Sequence, residues 1–243
     1  MVMKNKRKLQ IVRAVLEDFL NLLFPENCPV CGNRGDRAET FPVCRVCWDK
    51  IEPYNGPLCK VCGRFLVSQE ALTCGECLKD APHFEYARSF SLYDGAIKEA
   101  IHHLKYHGRR NLARPLAALL TPLPFEEIDV IVPVPIHYNR LRAREFNQSC
   151  LLSRELSLLT GITFAVDSLV KIKDTRPQVG LIRKERKENV KNAFQVKDSA
   201  KVADKRVLLI DDVITTSATV RECSKELKKA GAKAIVVTAL AHG

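Results

Sequence analysis

Four Cys-x-x-Cys pairs stand within fifty residues near the start of this 243-residue chain, and they constrain its fold more than any other feature. Two residues between thiolates let one tight turn aim both sulfurs at a single ion, and two such turns complete the tetrahedral coordination of zinc. Because the sequence carries no secretion signal, we favour metal ligation over disulfide formation. The paired cysteines are Cys28 and Cys31, Cys44 and Cys47, Cys59 and Cys62, and Cys74 and Cys77.

The cysteine pairs belong to an internal repeat with a period of 31 residues. The first pair of each copy is followed by a glycine, Gly32 or Gly63, where a metal-binding turn needs a permissive backbone. The second pair lacks that glycine and is predicted to open a short helix. The simplest pairing places one zinc on the first four cysteines and another on the last four; a cross-braced pairing, with the first and third pairs on one metal, is the alternative. Because cysteine fills every position, both zincs are predicted to be structural.

Residues 1–80 are predicted to form an N-terminal helix and the two-zinc module, and residues 81–243 a larger domain. The segment 9–24 is apolar on one helical face, which predicts an amphipathic helix rather than a cleaved signal.

Apolar residues make up 46% of the chain and charged residues 28%, the balance of a globular protein. No stretch approaches about 18 consecutive apolar residues, so no transmembrane segment is predicted.

The larger domain alternates between strand and helix patterns, which predicts an α/β fold with a parallel sheet flanked by helices. Ligands of such sheets bind beyond the carboxyl ends of the strands. Strands are predicted at 84–93, 129–133, 169–171, 193–196, 206–211 and 234–239. Helices are predicted at 96–106, 112–120, 148–159 and 218–230.

The segment 207–219 combines the chemistry needed to bind a sugar phosphate. An apolar strand ends in Asp211 and Asp212, and a run of small hydroxyl residues then opens the next helix. Backbone N–H groups, hydroxyls and the helix N-terminus together cradle a phosphate, while the two carboxylates accept hydrogen bonds from ribose hydroxyls. A solvated strand end or a helix cap is the alternative for the acid pair. The predicted cradle consists of Thr215, Thr216, Ser217, Ala218 and Thr219.

This segment resembles the ribose-phosphate loop of type I phosphoribosyltransferases, and further motifs resemble the ComF family. Those motifs are the segments 104–108, 132–135, 140–144, 146–148 and 178–181, together with the four cysteine pairs. The resemblance extends from about residue 20 to residue 240 and implies a phosphoribosyltransferase-like fold behind a double zinc module. Two residues depart from the family pattern, because Ser217 and Glu145 each stand where the family usually has glycine.

The resemblance implies a site for phosphoribosyl pyrophosphate bound with Mg²⁺. Asp211 and Asp212 would hold the ribose hydroxyls and are the candidate catalytic residues, and the cradle would hold the 5′-phosphate. The leaving diphosphate needs cations nearby, and the segment 183–191 is predicted to form a loop over the site. The candidate cations, for which exposed surface charge is the alternative, are Lys105, Arg140, Arg142 and Arg144.

The positive charge is concentrated in the larger domain. Residues 1–80 hold 12 Lys and Arg against 10 Asp and Glu, whereas residues 81–243 hold 27 against 18. Such an excess attracts a polyanion, either a phosphate substrate or single-stranded DNA. Four aromatic or imidazole rings among these cations are candidates for stacking on bases, with core packing as the alternative: Tyr106, His107, Tyr138 and Phe146.

Three functional hypotheses follow. The favoured one is that the chain handles imported single-stranded DNA during competence (natural transformation) and keeps a ribose-phosphate pocket. The second is an active phosphoribosyltransferase of nucleotide metabolism, a glycosyltransferase that releases pyrophosphate. The third is a zinc-containing adaptor that binds a helicase-like partner of the uptake machinery. All three imply a cytoplasmic location, with the inner face of the membrane as the more specific alternative.

Overall fold

The computed structural model describes residues 27–35, 39–67, 70–123, 127–176, 180 and 182–243. The predicted N-terminal helix, residues 9–24, lies outside the described residues, as do most residues of the 178–181 motif. In the described part of the chain, no helix is long and apolar enough to cross a membrane.

Five strands form a parallel sheet, as the alternating pattern predicted, in the order β1-β7-β6-β2-β3. The central strands β6 and β7 are apolar over most of their length because a parallel sheet is covered on both faces. The strands are β1 (Tyr86–Leu92), β2 (Val130–Pro133), β3 (Thr163–Phe164), β4 (Leu169–Lys171), β5 (Phe194–Val196), β6 (Arg206–Ile214) and β7 (Ala234–His242).

Helices cover both faces of the sheet, and alternate residues of β6 and β7 point into two separate cores. Val220, Cys223 and Leu227 of α8 pack into one core, whereas α3, α4 and α6 pack into the other. The helices are α1 (Arg45–Trp48), α2 (Gly75–Lys79), α3 (Gly95–Tyr106), α4 (Ala113–Leu120), α5 (Tyr138–Arg144), α6 (Gln148–Thr160), α7 (Arg183–Val190) and α8 (Ala218–Lys229).

The structure differs from the sequence predictions in several elements. The strands β4 and β5 form as predicted, but they pair with each other antiparallel in a separate two-stranded sheet. The segment 183–191, predicted as a loop, is the helix α7, because its residues are good helix formers and Glu185 accepts a hydrogen bond from Ile182 N (2.9 Å). Strand β6 does not end at residue 211 but continues to Ile214.

The cysteine-rich segment packs against the larger domain at several points. Tyr54 N donates to Phe90 O on β1 (2.8 Å), and Ala87 N donates to Val61 O (2.7 Å). Cys59, Cys62, Cys74 and Cys77 join the core that contains α8, whereas Cys28, Cys44 and Cys47 join the core that contains α3. The two cysteine groups therefore contribute to opposite faces of the sheet.

Candidate functional site

Asp211 and Asp212 lie on strand β6 itself and not on the turn after it. Their strand stays paired with β7 beyond them, since Val213 is opposite Ala241 and Ile214 opposite His242. The prediction that the strand ends at residue 211 was wrong. Each carboxylate has its own polar partner, so the backbone hydrogen bonds between β6 and β7 continue past both acids. The sheet therefore holds the acid pair rigidly, and the turn begins at Thr215.

Asp212 forms an ion pair with Lys105 from the last turn of α3. The Lys105 Nζ–Asp212 Oδ2 distance is 2.5 Å, and only 22% and 9% of the two side chains are exposed. Burial opposes the charged form of Lys105, but the Asp212 carboxylate outweighs it and raises the pKa of Lys105 above its ordinary value. The structure thus brings Lys105, one of the four predicted cations, directly to the acid pair.

Asp211 is buried next to the Asp212 carboxylate. Burial and the adjacent Asp212 carboxylate raise the pKa of Asp211 to about 7. Its Oδ1 accepts hydrogen bonds from Ser149 Oγ (3.1 Å) and Asp212 N (2.9 Å). A carboxyl group that titrates near neutral pH can accept or donate a proton at this point of the site.

The start of α6 builds the wall beside the acid pair. Asn147 accepts from Ser149 N (3.1 Å) and its Nδ2 donates to Val134 O (3.0 Å), so one residue caps α6 and anchors it to the end of β2. This places Ser149 against Asp211. Ser149 was not predicted as a site residue, although its position directly after the 146–148 motif is a signal that points to it.

The turn after β6 contains two buried hydroxyl groups that have no hydrogen-bond partner among the described residues, Thr216 Oγ1 and Ser217 Oγ. Ser217 adopts the left-handed conformation (φ 59°) immediately before α8 begins at Ala218. This is the conformation that favours the glycine usual in the family. Buried hydroxyls are normally hydrogen-bonded, so their arrangement at a helix N-terminus points to an anionic ligand.

Helix α7 reaches the turn from the other side. Arg186 Nη1 donates to Thr215 Oγ1 at 2.9 Å. The predicted position of this segment at the site therefore agrees with the contact, although its conformation is helical. A guanidinium group next to the cradle adds positive charge where a phosphate would bind.

The remaining predicted cations lie on α5, beyond the carboxyl end of β2. Arg140 Nη2 donates to Thr175 O (2.6 Å), and Arg144 Nη1 donates to Gln148 Oε1 (2.9 Å). Burial, together with the positive charge of Arg140, lowers the pKa of Lys171 on β4, a cation that was not predicted from the sequence. These groups make the edge of the sheet next to the acid pair electropositive.

Two of the four rings predicted to stack on bases are exposed. Tyr106 is 56% exposed and Tyr138 is 63% exposed. The Arg144 guanidinium lies 5.0 Å from the Tyr106 ring centre, and the Arg142 guanidinium lies 5.8 Å from that of Tyr138. Phe146 is buried, so core packing describes it better, while His107 stacks on His103 (4.6 Å between ring centres).

The eight paired cysteines form two compact clusters. The four sulfurs of each cluster lie within 4.8 Å of one another, and the clusters follow the sequential pairing rather than the cross-braced one. Helices α1 and α2 begin directly after Cys44 and Cys74, as predicted. An all-sulfur set of four ligands without an open position fits a structural zinc ion in each cluster. The first consists of Cys28, Cys31, Cys44 and Cys47, and the second of Cys59, Cys62, Cys74 and Cys77.

The fold and site define a phosphoribosyltransferase-like protein that carries a double zinc ribbon. The family model of the double zinc ribbon domain matches residues 19–78, and that of the phosphoribosyl transferase domain matches residues 158–243.

Three curated relatives align over most of their length. Competence protein F of Haemophilus influenzae is 34% identical over 213 residues, covering 82% of this chain and 90% of that protein. DNA utilization protein YhgH of Salmonella typhi is 32% identical over 208 residues, covering 82% and 89%. Competence protein ComFC of Streptococcus pneumoniae is 25% identical over 219 residues, covering 85% and 95%. The chain belongs to the ComF family, as its motifs predicted.

Proposed function

We propose that this protein handles single-stranded DNA imported during natural transformation, with its phosphoribosyltransferase-like domain as a phosphate-binding platform. The observation that carries this proposal is the turn at the start of α8, where Thr216 and Ser217 present buried hydroxyls that lack partners among the described residues. The names of the relatives, competence proteins and DNA utilization proteins, supply the biological context.

The same turn is suited to the 5′-phosphate of phosphoribosyl pyrophosphate. The two hydroxyls and the first N–H groups of α8 would donate to phosphate oxygens. Arg186, which donates to Thr215 Oγ1 in the same turn, would add positive charge beside the phosphate. Asp211 and Asp212 would accept from the ribose hydroxyls. Carboxylate oxygens also suit Mg²⁺, which when bound would neutralise charge on the diphosphate.

The DNA strand would follow the electropositive edge formed by α5 and the end of α3. Tyr106 and Tyr138 are exposed there, each beside an arginine, and such aromatic–guanidinium pairs stack on bases without sequence preference. We place this activity in the cytoplasm, at the inner membrane face where imported strands arrive. A helicase-like uptake protein that contacts the zinc module is the expected partner.

Binding of a labelled single-stranded oligonucleotide at increasing salt tests the proposal. We expect affinity to fall steeply with salt, and the double variant Tyr106→Ala/Tyr138→Ala to bind about tenfold more weakly or worse. The matched control is Tyr54→Phe, which removes only the hydroxyl that donates to Pro57 O (3.3 Å) within the cysteine-rich segment. Absence of binding by the wild type at low salt would overturn the proposal.

A second candidate function, phosphoribosyl transfer, is favoured by the near-neutral pKa of Asp211 beside the cradle. An active enzyme would release pyrophosphate from phosphoribosyl pyrophosphate in the presence of an acceptor base, and Asp212→Asn would abolish the release. If no common base supports turnover while the sugar phosphate still binds, the site acts as a binding platform.

A further inference from the structure

Helix α7 lies between the second cysteine cluster and the phosphate turn. On one side, Arg186 donates to Thr215 Oγ1 in the turn (2.9 Å). On the other side, Arg183 Nη1 lies 3.0 Å from Glu76 Oε2, and Lys187 Nζ lies 2.7 Å from Asp80 Oδ2. Both partner carboxylates belong to the cysteine-rich segment, within α2 or directly after it.

Helix α8, which follows the turn, has its own connection to the same cluster. Arg221 Nη2 donates to Cys77 Sγ at 3.1 Å, and Arg221 Nη1 donates to Asp80 O at 2.7 Å. Arg221 is four residues after Ser217, and its backbone N–H donates to Ser217 O (2.9 Å). Only 12% of its side chain is exposed. One arginine thus joins a metal-ligating sulfur to the first turn of the anion-binding helix.

The two acidic residues lie close in sequence to cysteines of the second cluster. Glu76 lies between Cys74 and Cys77, and Asp80 lies three residues after Cys77. A zinc ion bound by both cysteines fixes the short helix α2 and hence the position of both carboxylates. A metal-bound sulfur is also a thiolate, which accepts a stronger hydrogen bond from a guanidinium than a thiol does.

We infer that the second cysteine cluster positions the phosphate turn, so that zinc bound there sets the affinity of the turn for anions. Glu76, Asp80 and Arg221 act as positioning residues: the first two hold α7 and thereby Arg186, and the third holds α8 and thereby Ser217. This inference rests on the proposed function, because it requires the turn to bind a phosphate.

The effect of removing the carboxylates distinguishes positioning from simple electrostatics. Glu76 and Asp80 are negative charges in the neighbourhood of an anion site, so neutralising them would tighten phosphate binding if they acted only through their charge. If they hold α7 in place, neutralising them weakens binding. The two explanations therefore predict changes of opposite sign.

The first test is calorimetric titration of phosphoribosyl pyrophosphate with Mg²⁺, and of inorganic phosphate, into the full chain. For Glu76→Gln/Asp80→Asn we expect binding about three- to tenfold weaker, the range available to the partly exposed ion pairs that hold α7 and α8. The double variant removes the pairs with Arg183 and Lys187 on α7, the pair with Arg221 on α8 (3.9 Å), and the pair of Glu76 with Arg64 (2.6 Å). The control is Glu188→Gln on α7 itself, whose carboxylate lies 3.7 Å from Lys191 Nζ. The control should bind as the wild type does or slightly more tightly.

The second test measures zinc directly and does not depend on a catalytic assay. We expect Arg221→Gln to release one of its two zinc ions to a chromogenic chelator faster than the wild type does and to bind phosphate more weakly. Circular dichroism of each variant is measured to check that the variant is folded. Faster zinc release with unchanged phosphate affinity would contradict the inference, and so would equal or tighter binding by the carboxylate double variant. If the wild type binds neither ligand, the proposed function and this inference both fail.

Discussion

Asp211 and Asp212 are chemically identical neighbours that the fold surrounds with different partners. Asp212 forms an ion pair with Lys105, whereas Asp211 accepts hydrogen bonds from the neutral donors Ser149 Oγ and Asp212 N and lies beside the Asp212 carboxylate. The pKa of Asp211 is therefore raised to about 7 by burial and by that carboxylate, with burial the larger cause. Asp211 thus offers a proton that can be exchanged near neutral pH, next to the ion pair of Asp212 with Lys105.

The raised pKa of Asp211 predicts a pH dependence of stability. The folded protein holds this proton up to about pH 7, whereas an unfolded chain releases it near its ordinary value of 3.8. Stability therefore falls as pH rises between these values, because the folded state binds more protons than the unfolded state. We expect the melting temperature to fall less between about pH 5 and about pH 8 in Asp211→Asn than in the wild type.

The control for this measurement is Asp198→Asn, which removes an exposed carboxylate paired with Lys201 at 3.5 Å. This variant should keep the pH dependence of the wild type. An equal slope in Asp211→Asn and the wild type would show that Asp211 is ionised throughout this range.

Among the elements, the phosphate turn and its neighbours show which structural features can be predicted from the sequence and which cannot. The hydroxyl run at 215–219 and the sequential cysteine clusters could be predicted, because residue types at fixed spacing determine them. The continuation of β6 through two acids could not, since Lys105 and Ser149 come from distant helices. The helical form of α7 was missed because its charged residues gave no apolar periodicity, and its position depends on partners about a hundred residues away.

The left-handed conformation of Ser217 predicts opposite effects on stability and on binding. Ser217→Gly removes the strain of a side chain at φ 59°, so we expect a gain of about 1 kcal/mol in the free energy of unfolding. The same change removes a hydroxyl that would donate to the phosphate, which should weaken binding about threefold to tenfold. Urea unfolding and calorimetric titration measure the two effects.

The matched control is Asn192→Gly, at another non-glycine position with positive φ (51°), outside the turn. It should gain stability without any loss of phosphate affinity. Unchanged affinity in Ser217→Gly would mean that this hydroxyl does not contact the ligand.

In the whole molecule, each of the two cysteine clusters packs into a different one of the two cores, so the clusters do not form an isolated module. The first cluster packs with α3 and the second with α8, on opposite faces of the central sheet. The division at residue 80, predicted from the cysteine pairs and from the strand–helix alternation that follows them, remains a prediction. These shared cores predict that the cysteine-rich segment and the α/β domain unfold together.

Removal of zinc tests this prediction of joint unfolding. A strong chelator should lower the midpoint of one cooperative calorimetric transition, because the loss of either metal exposes part of a shared core. Two separated transitions, of which only the smaller responds to the chelator, would show that the α/β domain folds independently of the clusters.

The proposed function requires that the turn between β6 and α8 bind the phosphate of a sugar phosphate. Titration of phosphoribosyl pyrophosphate with Mg²⁺ into the wild type and into Thr216→Val tests this claim most directly. Thr216 Oγ1 is buried without a partner among the described residues, so the isosteric variant should melt at the same temperature as the ligand-free wild type or higher. It should also bind the ligand about tenfold more weakly. Equal binding by the two proteins, or none by either, would show that this turn does not bind the phosphate.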